Sequence, residues 1–153
     1  MPVLRPAANS DIPAITNLID AAYRDYVPAM GGRRPRPMDD DYAARVRNGQ
    51  LFVVEGETGP AAAMTLELHV ASVHIFNFAV DPAMQGQGLL RLMLDHAERT
   101  ARSAGKPRLT LYTNVVMTRN REIYAHLGFR EVREEVTPAG YHIVFMERDV
   151  GRA

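Results

Sequence analysis

Hydrophobic and polar positions alternate with helical spacing most clearly after Gly88. Leu90, Met93, Leu94, Ala97, Ala101 and Ala104 share one face, while Arg91, Asp95, Glu98, Arg99 and Arg102 take the other. That pattern predicts an amphipathic helix over residues 88–104, supported by Asp95–Arg99 and Glu98–Arg102 pairs four residues apart. Gly105 and Pro107 end it. Near the start, Val3 to Pro6 reads as a strand. Ile12, Ile15, Leu18, Ile19, Ala22 and Tyr23 then form a stripe that predicts a helix to about Tyr26, with Pro13 in its first turn. Residues 28–37, rich in Pro, Gly and Arg, read as a loop, and 39–47 as a second, shorter helix. Apolar runs predict strands at 51–55, 61–70 and 73–80, with a turn at 56–60. Further on come a strand at 108–114, a helix at 118–127 stopped by Gly128, and a last antiparallel pair at 129–136 and 141–146. The order is that of an α/β (α+β) fold with a mostly antiparallel sheet. Its one parallel crossover runs from 73 through the long helix to 114, and such crossovers are right-handed.

Composition narrows the class without naming an activity. A chain of 153 residues is expected to form one domain over 1–153, burying roughly 70% of its unfolded surface. Eighteen basic and eighteen acidic residues cancel, so no global charge points to nucleic acid or an anionic membrane. No apolar run approaches the roughly 20 residues of a membrane span, and Met1-Pro2-Val3-Leu4-Arg5 lacks the apolar stretch of a signal peptide. A cytoplasmic protein is expected. The absence of cysteine excludes a disulfide framework, a thiolate metal site and a covalent Cys-acyl intermediate. The five histidines include no pair four residues apart, so no metal is expected.

Chemistry concentrates where the apolar run 73–80 hands over to the long helix, at Gln85-Gly86-Gln87-Gly88-Leu89-Leu90. Glycine lets the backbone approach an anion, and the first helical N–H groups lack intrahelical acceptors while the helix dipole favours negative charge. The same two glycines also suit a bare strand-to-helix turn. A dinucleotide-binding fingerprint needs a third Gly where Arg91 stands, and antiparallel strands precede the turn, so that class is disfavoured.

This hexapeptide resembles the Gln/Arg-x-x-Gly-x-Gly/Ala signature of the GNAT superfamily of acyl-CoA-dependent N-acyltransferases. Leu90 departs from its last, small position. Val80-Asp81-Pro82 before the turn, the stretch from Met117 to Phe129 with Tyr124 four residues before Gly128, and the opening Leu4-Arg5-Pro6-Ala7 with Asp11-Ile12-Pro13 are similar to the same family. The resemblance covers essentially the whole chain. It implies a single-domain fold with a mixed sheet of about seven strands, splayed at the centre and flanked by about four helices. It also implies acetyl-CoA as cosubstrate, with its pyrophosphate on the amides of Gln85, Gly86, Gln87, Gly88, Leu89 and Leu90. Its pantetheine would pair along Phe78, Ala79 and Val80, with Asn114 and Asn120 near the cofactor. Relatives are often dimers, which leaves a homodimer open.

Acyl transfer to an amine needs a base, an oxyanion donor and a proton for the departing thiolate. Without cysteine, direct attack in a ternary complex is expected, with a backbone N–H near Phe78 as oxyanion donor. The resemblance makes Tyr124 the general acid, since a phenol of pKa about 10 is protonated at neutral pH; a core aromatic is the competing role. Many relatives place a Glu where Phe76 stands here. Glu67, His69 and His74 are the remaining base candidates, each equally an exposed strand residue. Tyr23, Tyr26, Met30 and Arg33, with Arg34 and Arg36, would face a small-molecule amine acceptor that also carries a carboxylate; a solvated basic loop is the competing reading. Acetylation of a protein N-terminus or lysine, and a non-catalytic acyl-CoA sensor, are the alternatives.

Overall fold

The apolar run at 73–80 becomes β4 (Ser72–Val80), the middle strand of a seven-stranded mixed sheet. The computed structural model describes residues 2–151. Its other strands are β1 (Val3–Pro6), β2 (Leu51–Gly56), β3 (Gly59–Leu68), β5 (Arg108–Asn114), β6 (Arg130–Val136) and β7 (His142–Asp149). The sheet order is β1-β2-β3-β4-β5-β7-β6. Five helices accompany it: α1 (Ile12–Tyr23), α2 (Tyr26–Ala29), α3 (Tyr42–Arg47), α4 (Leu89–Ser103) and α5 (Thr118–His126). None is long and apolar enough to cross a membrane. Contacts divide the chain into two compact units, one running up to Glu67 and including Phe76–His96, the other formed by Leu68–Ile75 and the chain from Ala97 onward.

In the first unit β1 pairs antiparallel with β2, and β2 with β3, with a register shift at Val54/Glu55. Residues Ala61 to Leu66 of β3 are buried without interruption, the signature of a strand covered on both faces rather than an alternating one. The apolar stripe of α1 contributes Ile15, Leu18 and Ile19 to this core. Arg5 of β1 is fixed by a fork onto Asp11 at 2.8 and 2.9 Å and by Glu55 at 2.7 Å. In the second unit β4 and β5 run parallel at Ser72–Arg108, Val73–Leu109 and His74–Thr110, as the crossover predicts. β5 and β7 pair along their length, and Leu109, Leu111, Val144 and Met146 are buried with Ala97 and Ala101 of α4. Every residue of β6 is exposed; five of its seven are charged, which blunts an edge strand against further pairing.

Three boundaries differ from the sequence expectation. The first helix stops at Tyr23, and the segment expected to be loop holds α2 and a 3-10 turn at Arg36–Asp39. Pro28 and Pro37 are compatible with both because a first turn needs no N–H there. The second expected helix starts at Tyr42 rather than residue 39, since the Asp41 side chain accepts from Ala44 N at 3.0 Å and sets the cap. Among the described residues the α-helices number five, in keeping with the about four that the resemblance implies. β7 extends to Asp149, past the apolar run, because Arg108, Leu109 and Thr110 supply ladder partners to Asp149, Arg148 and Glu147.

Candidate active site

At the end of β4, Asp81 accepts from Ala83 N at 2.9 Å and closes a 3-10 turn over Pro82–Met84. The chain then turns through Gln85, Gly86, Gln87 and Gly88, all exposed, into α4. Gly86 (φ 82°) and Gly88 (φ 78°) occupy the left-handed region, which L side chains avoid. A Cβ built at either would meet no atom within 4 Å, so backbone conformation and not crowding requires glycine. Leu92 N–H makes the first helical rung, to Gly88 O at 3.1 Å. The N–H groups just before it, at Leu89, Leu90 and Arg91, have no acceptor within the helix. Leu89 is buried and Leu90 half-buried; neither side chain removes an N–H. An open, glycine-shaped backbone ahead of a fifteen-residue helix fits a pyrophosphate.

In the same unit the end of α1 reaches β4. The Tyr23 hydroxyl lies 2.7 Å from Asn77 Oδ1 and 3.1 Å from Phe78 O, with Tyr23 only 7% exposed. Phe78 and Ala79 are buried, Val80 half-buried. Of the other expected acceptor residues, Tyr26 and Met30 are half-buried and Arg33 is exposed. Of the arginines expected around the acceptor, Arg34 binds Asp39 at 2.9 Å; outside that set, Arg45 of α3 binds Asp40 at 2.8 Å and Glu67 at 2.7 Å. Arg45 also stands 4.7 Å over the Phe76 ring, with Arg36 at 6.0 Å. Tyr42 donates to Pro37 O. Burial, reinforced by Asp40, pushes its phenol well above the ordinary value, so it keeps its proton.

Asn77 is the residue sequence reasoning missed. It is 2% exposed, and a lone amide inside the apolar run 73–80 was the available signal. Its Oδ1 accepts from the Tyr23 hydroxyl and its side chain also hydrogen-bonds Tyr42, whereas the buried Asp20 Oδ1 has no hydrogen-bond partner among the described residues.

In the second unit, Tyr124 is the buried residue of α5, 8% exposed, with its ring edge-on to Phe129 at 6.2 Å. Asn120 lies one turn earlier on α5, its Nδ2 3.7 Å from Met117 Sδ. Asn114 ends β5, where Oδ1 accepts from Val116 N at 3.1 Å. His74, a base candidate for which an exposed strand position is the competing reading, is 5% exposed. Its Nδ1 lies 3.0 Å from Thr110 Oγ1, and its ring stacks on His69 at 5.0 Å and Tyr112 at 5.4 Å; packing explains its place. Among the described residues no group of three His, Cys, Asp or Glu could hold a metal ion.

Residues 16–129 match the model of the Acetyltransferase (GNAT) family. The chain belongs to that family. This GNAT chain is 35% identical over 98 residues to a mycothiol acetyltransferase of Beutenbergia cavernae, covering 58% of this chain and 33% of that protein. It spans about a third or less of the curated relatives it matches. The PaiA N-acetyltransferase of Thermoplasma acidophilum, solved in complex with coenzyme A, superposes with a TM-score of 0.77 at 12% identity, covering 97% and 99% of the two chains. The ribosomal-protein-S18-alanine N-acetyltransferase of Escherichia coli gives 0.69 at 21% identity, over 100% and 96%. At these identities the GNAT fold is what is shared.

Proposed function

We propose that the protein moves an acetyl group from acetyl-CoA to a primary amine of a small molecule by direct attack in a ternary complex. The observation that carries this is the cradle of Gly86 and Gly88, left-handed and open, ahead of α4. The amides from Gln85 to Leu90 hold the pyrophosphate, and the backbone of Phe78, Ala79 and Val80 pairs with the pantetheine. Acetyl-CoA supplies the acetyl thioester. The amine attacks the thioester carbonyl and passes a proton to water as the C–N bond forms, the C–S bond breaks, and the thiolate takes a proton from the Tyr124 hydroxyl, which regains one from water. A backbone N–H near Phe78 faces the carbonyl oxygen as charge develops. The role of Tyr124 rests on its place before Gly128-Phe129, with Asn114 and Asn120 lending polar contacts to the cofactor.

Transfer to a protein N-terminus or lysine is the second candidate. Within the loop 28–37, Arg34 is paired with Asp39, which lessens the positive charge that an acidic peptide-binding groove would have to lack. Calorimetry with coenzyme A and acetyl-CoA, followed by a panel of amines and peptides, tests both. Tyr124→Phe is expected to lower kcat by about 10- to 1,000-fold while leaving acetyl-CoA affinity within about twofold. Binding without turnover on any amine leaves a sensor, and no binding removes the enzyme.

A further inference from the structure

Three buried side chains of the first unit, Tyr23, Tyr42 and Asn77, form one hydrogen-bonded chain. The Tyr23 hydroxyl, at the end of α1, donates to Asn77 Oδ1 at 2.7 Å. The Asn77 side chain also bonds Tyr42, whose hydroxyl gives its proton to Pro37 O. A phenol has a single proton, so the Tyr42 oxygen is left only to accept from Asn77. That fixes the amide, with its NH2 toward Tyr42 and its Oδ1 toward Tyr23. The donors therefore all point one way, from α1 through β4 and α3 to the 3-10 turn at Arg36–Asp39, and bonds aligned in series strengthen one another. An apolar side chain at position 77 would suit the strand without any of this. The same Tyr23 hydroxyl lies 3.1 Å from Phe78 O. That oxygen belongs to the planar peptide that also carries the Ala79 N–H, so Tyr23 holds the plane of that peptide.

We infer that Tyr23, locked in place by Asn77, is a positioning residue that sets the Phe78–Ala79 peptide of β4 for acyl transfer, and that its hydroxyl serves this strand rather than the acceptor amine. The proposed function puts both the pantetheine and the oxyanion donor on this stretch of backbone, so the inference rests on that reading and deepens it. A hydrogen bond accepted by a peptide oxygen makes the N–H of the same peptide a stronger donor. Backbone donors that are aimed before charge develops on the thioester oxygen favour the transition state over the ground state. Phenylalanine at position 23 would fill the same space and leave Asn77 Oδ1 and Phe78 O without this donor.

The test is steady-state acetyl transfer by the full chain and its Tyr23→Phe variant, with acetyl-CoA and whichever amine of the panel the parent turns over. Calorimetric titration with coenzyme A counts the binding-competent sites in each sample. Tyr23→Phe is expected to lower kcat per competent site about tenfold, the size of one lost hydrogen bond, with the KM for the amine within about twofold of the parent. The backbone amide resonances of Phe78 and Ala79 are expected to shift with it. A variant that merely loosened the fold would show fewer competent sites at the parent's kcat per site, and that result overturns the inference. So does an unchanged kcat with a raised amine KM, which makes Tyr23 an acceptor contact. Tyr42→Phe leaves Tyr23 in place and takes away the acceptor of the Asn77 NH2, with about a threefold fall in kcat expected. It carries the test should Tyr23→Phe fail to fold, and an unchanged kcat there overturns the inference. A parent that binds coenzyme A but acetylates no amine overturns the acetyl-transfer reading and the inference with it, a result distinct from an active parent whose variants match it.

Discussion

At the scale of single residues, Gly88 separates backbone geometry from side-chain fit. Nothing lies within 4 Å of a Cβ there, so Gly88→Ala adds no clash. It does place an L residue at φ 78°, a cost of about 1–2 kcal/mol. The chain escapes that cost by rotating the turn, which moves the amides ahead of α4. Gly88→Ala is therefore expected to lose about 1 kcal/mol of stability and to weaken coenzyme A binding tenfold or more. Gly105, at φ 67° with equally open surroundings after α4, is the control. Gly105→Ala carries the same backbone cost and leaves coenzyme A affinity unchanged, as calorimetry and denaturant melts on both variants check. These glycines were legible from the sequence because turn chemistry is local. The burial of Asp20 Oδ1 was not, because an aspartate on a helix reads as solvated from sequence alone.

At the scale of elements, periodicity located most pieces, and the failures share a cause. The helix 88–104 was readable to within a residue because its apolar stripe repeats over four turns and glycine marks each end. α2 has four residues, too few for any period to show. The extension of β7 to Asp149 comes from pairing with β5, a tertiary effect that outweighs the polar sequence Glu147-Arg148-Asp149. The stripe of α4 also makes an energetic prediction. Met93 is wholly buried, and Met93→Ala removes its side chain from a packed site, at about 2–5 kcal/mol. A urea melt should show the midpoint falling with the slope unchanged; a changed slope means that packing loss spread beyond the site.

At the scale of the molecule, neutrality is built from specific pairs. The chain carries eighteen basic and eighteen acidic residues, and the arginines fork onto carboxylates in both units. The Arg5 guanidinium beside Asp11, at 2.8 Å, holds that carboxyl below its usual range, with help from Ala8 N–H. Arg121 does the same to Glu131. A carboxylate whose folded pKa is depressed contributes stability above its unfolded pKa, about 3.9 for Asp and 4.3 for Glu. That contribution is lost as pH falls through the folded value. These two groups therefore add nothing to any change between pH 6 and 8 and steepen the loss of stability below pH 4. Asp11→Asn isolates one of them, keeping the shape and an acceptor oxygen for Ala8 N. It should cost about 1 kcal/mol at pH 7, a modest figure because Arg5 is one-third exposed. The gap between variant and parent should close as the pH is taken toward 2, where the parent's Asp11 is itself neutral. Melts across pH 2–8 measure this directly; a gap that stays constant with pH means the loss is of packing and not of charge.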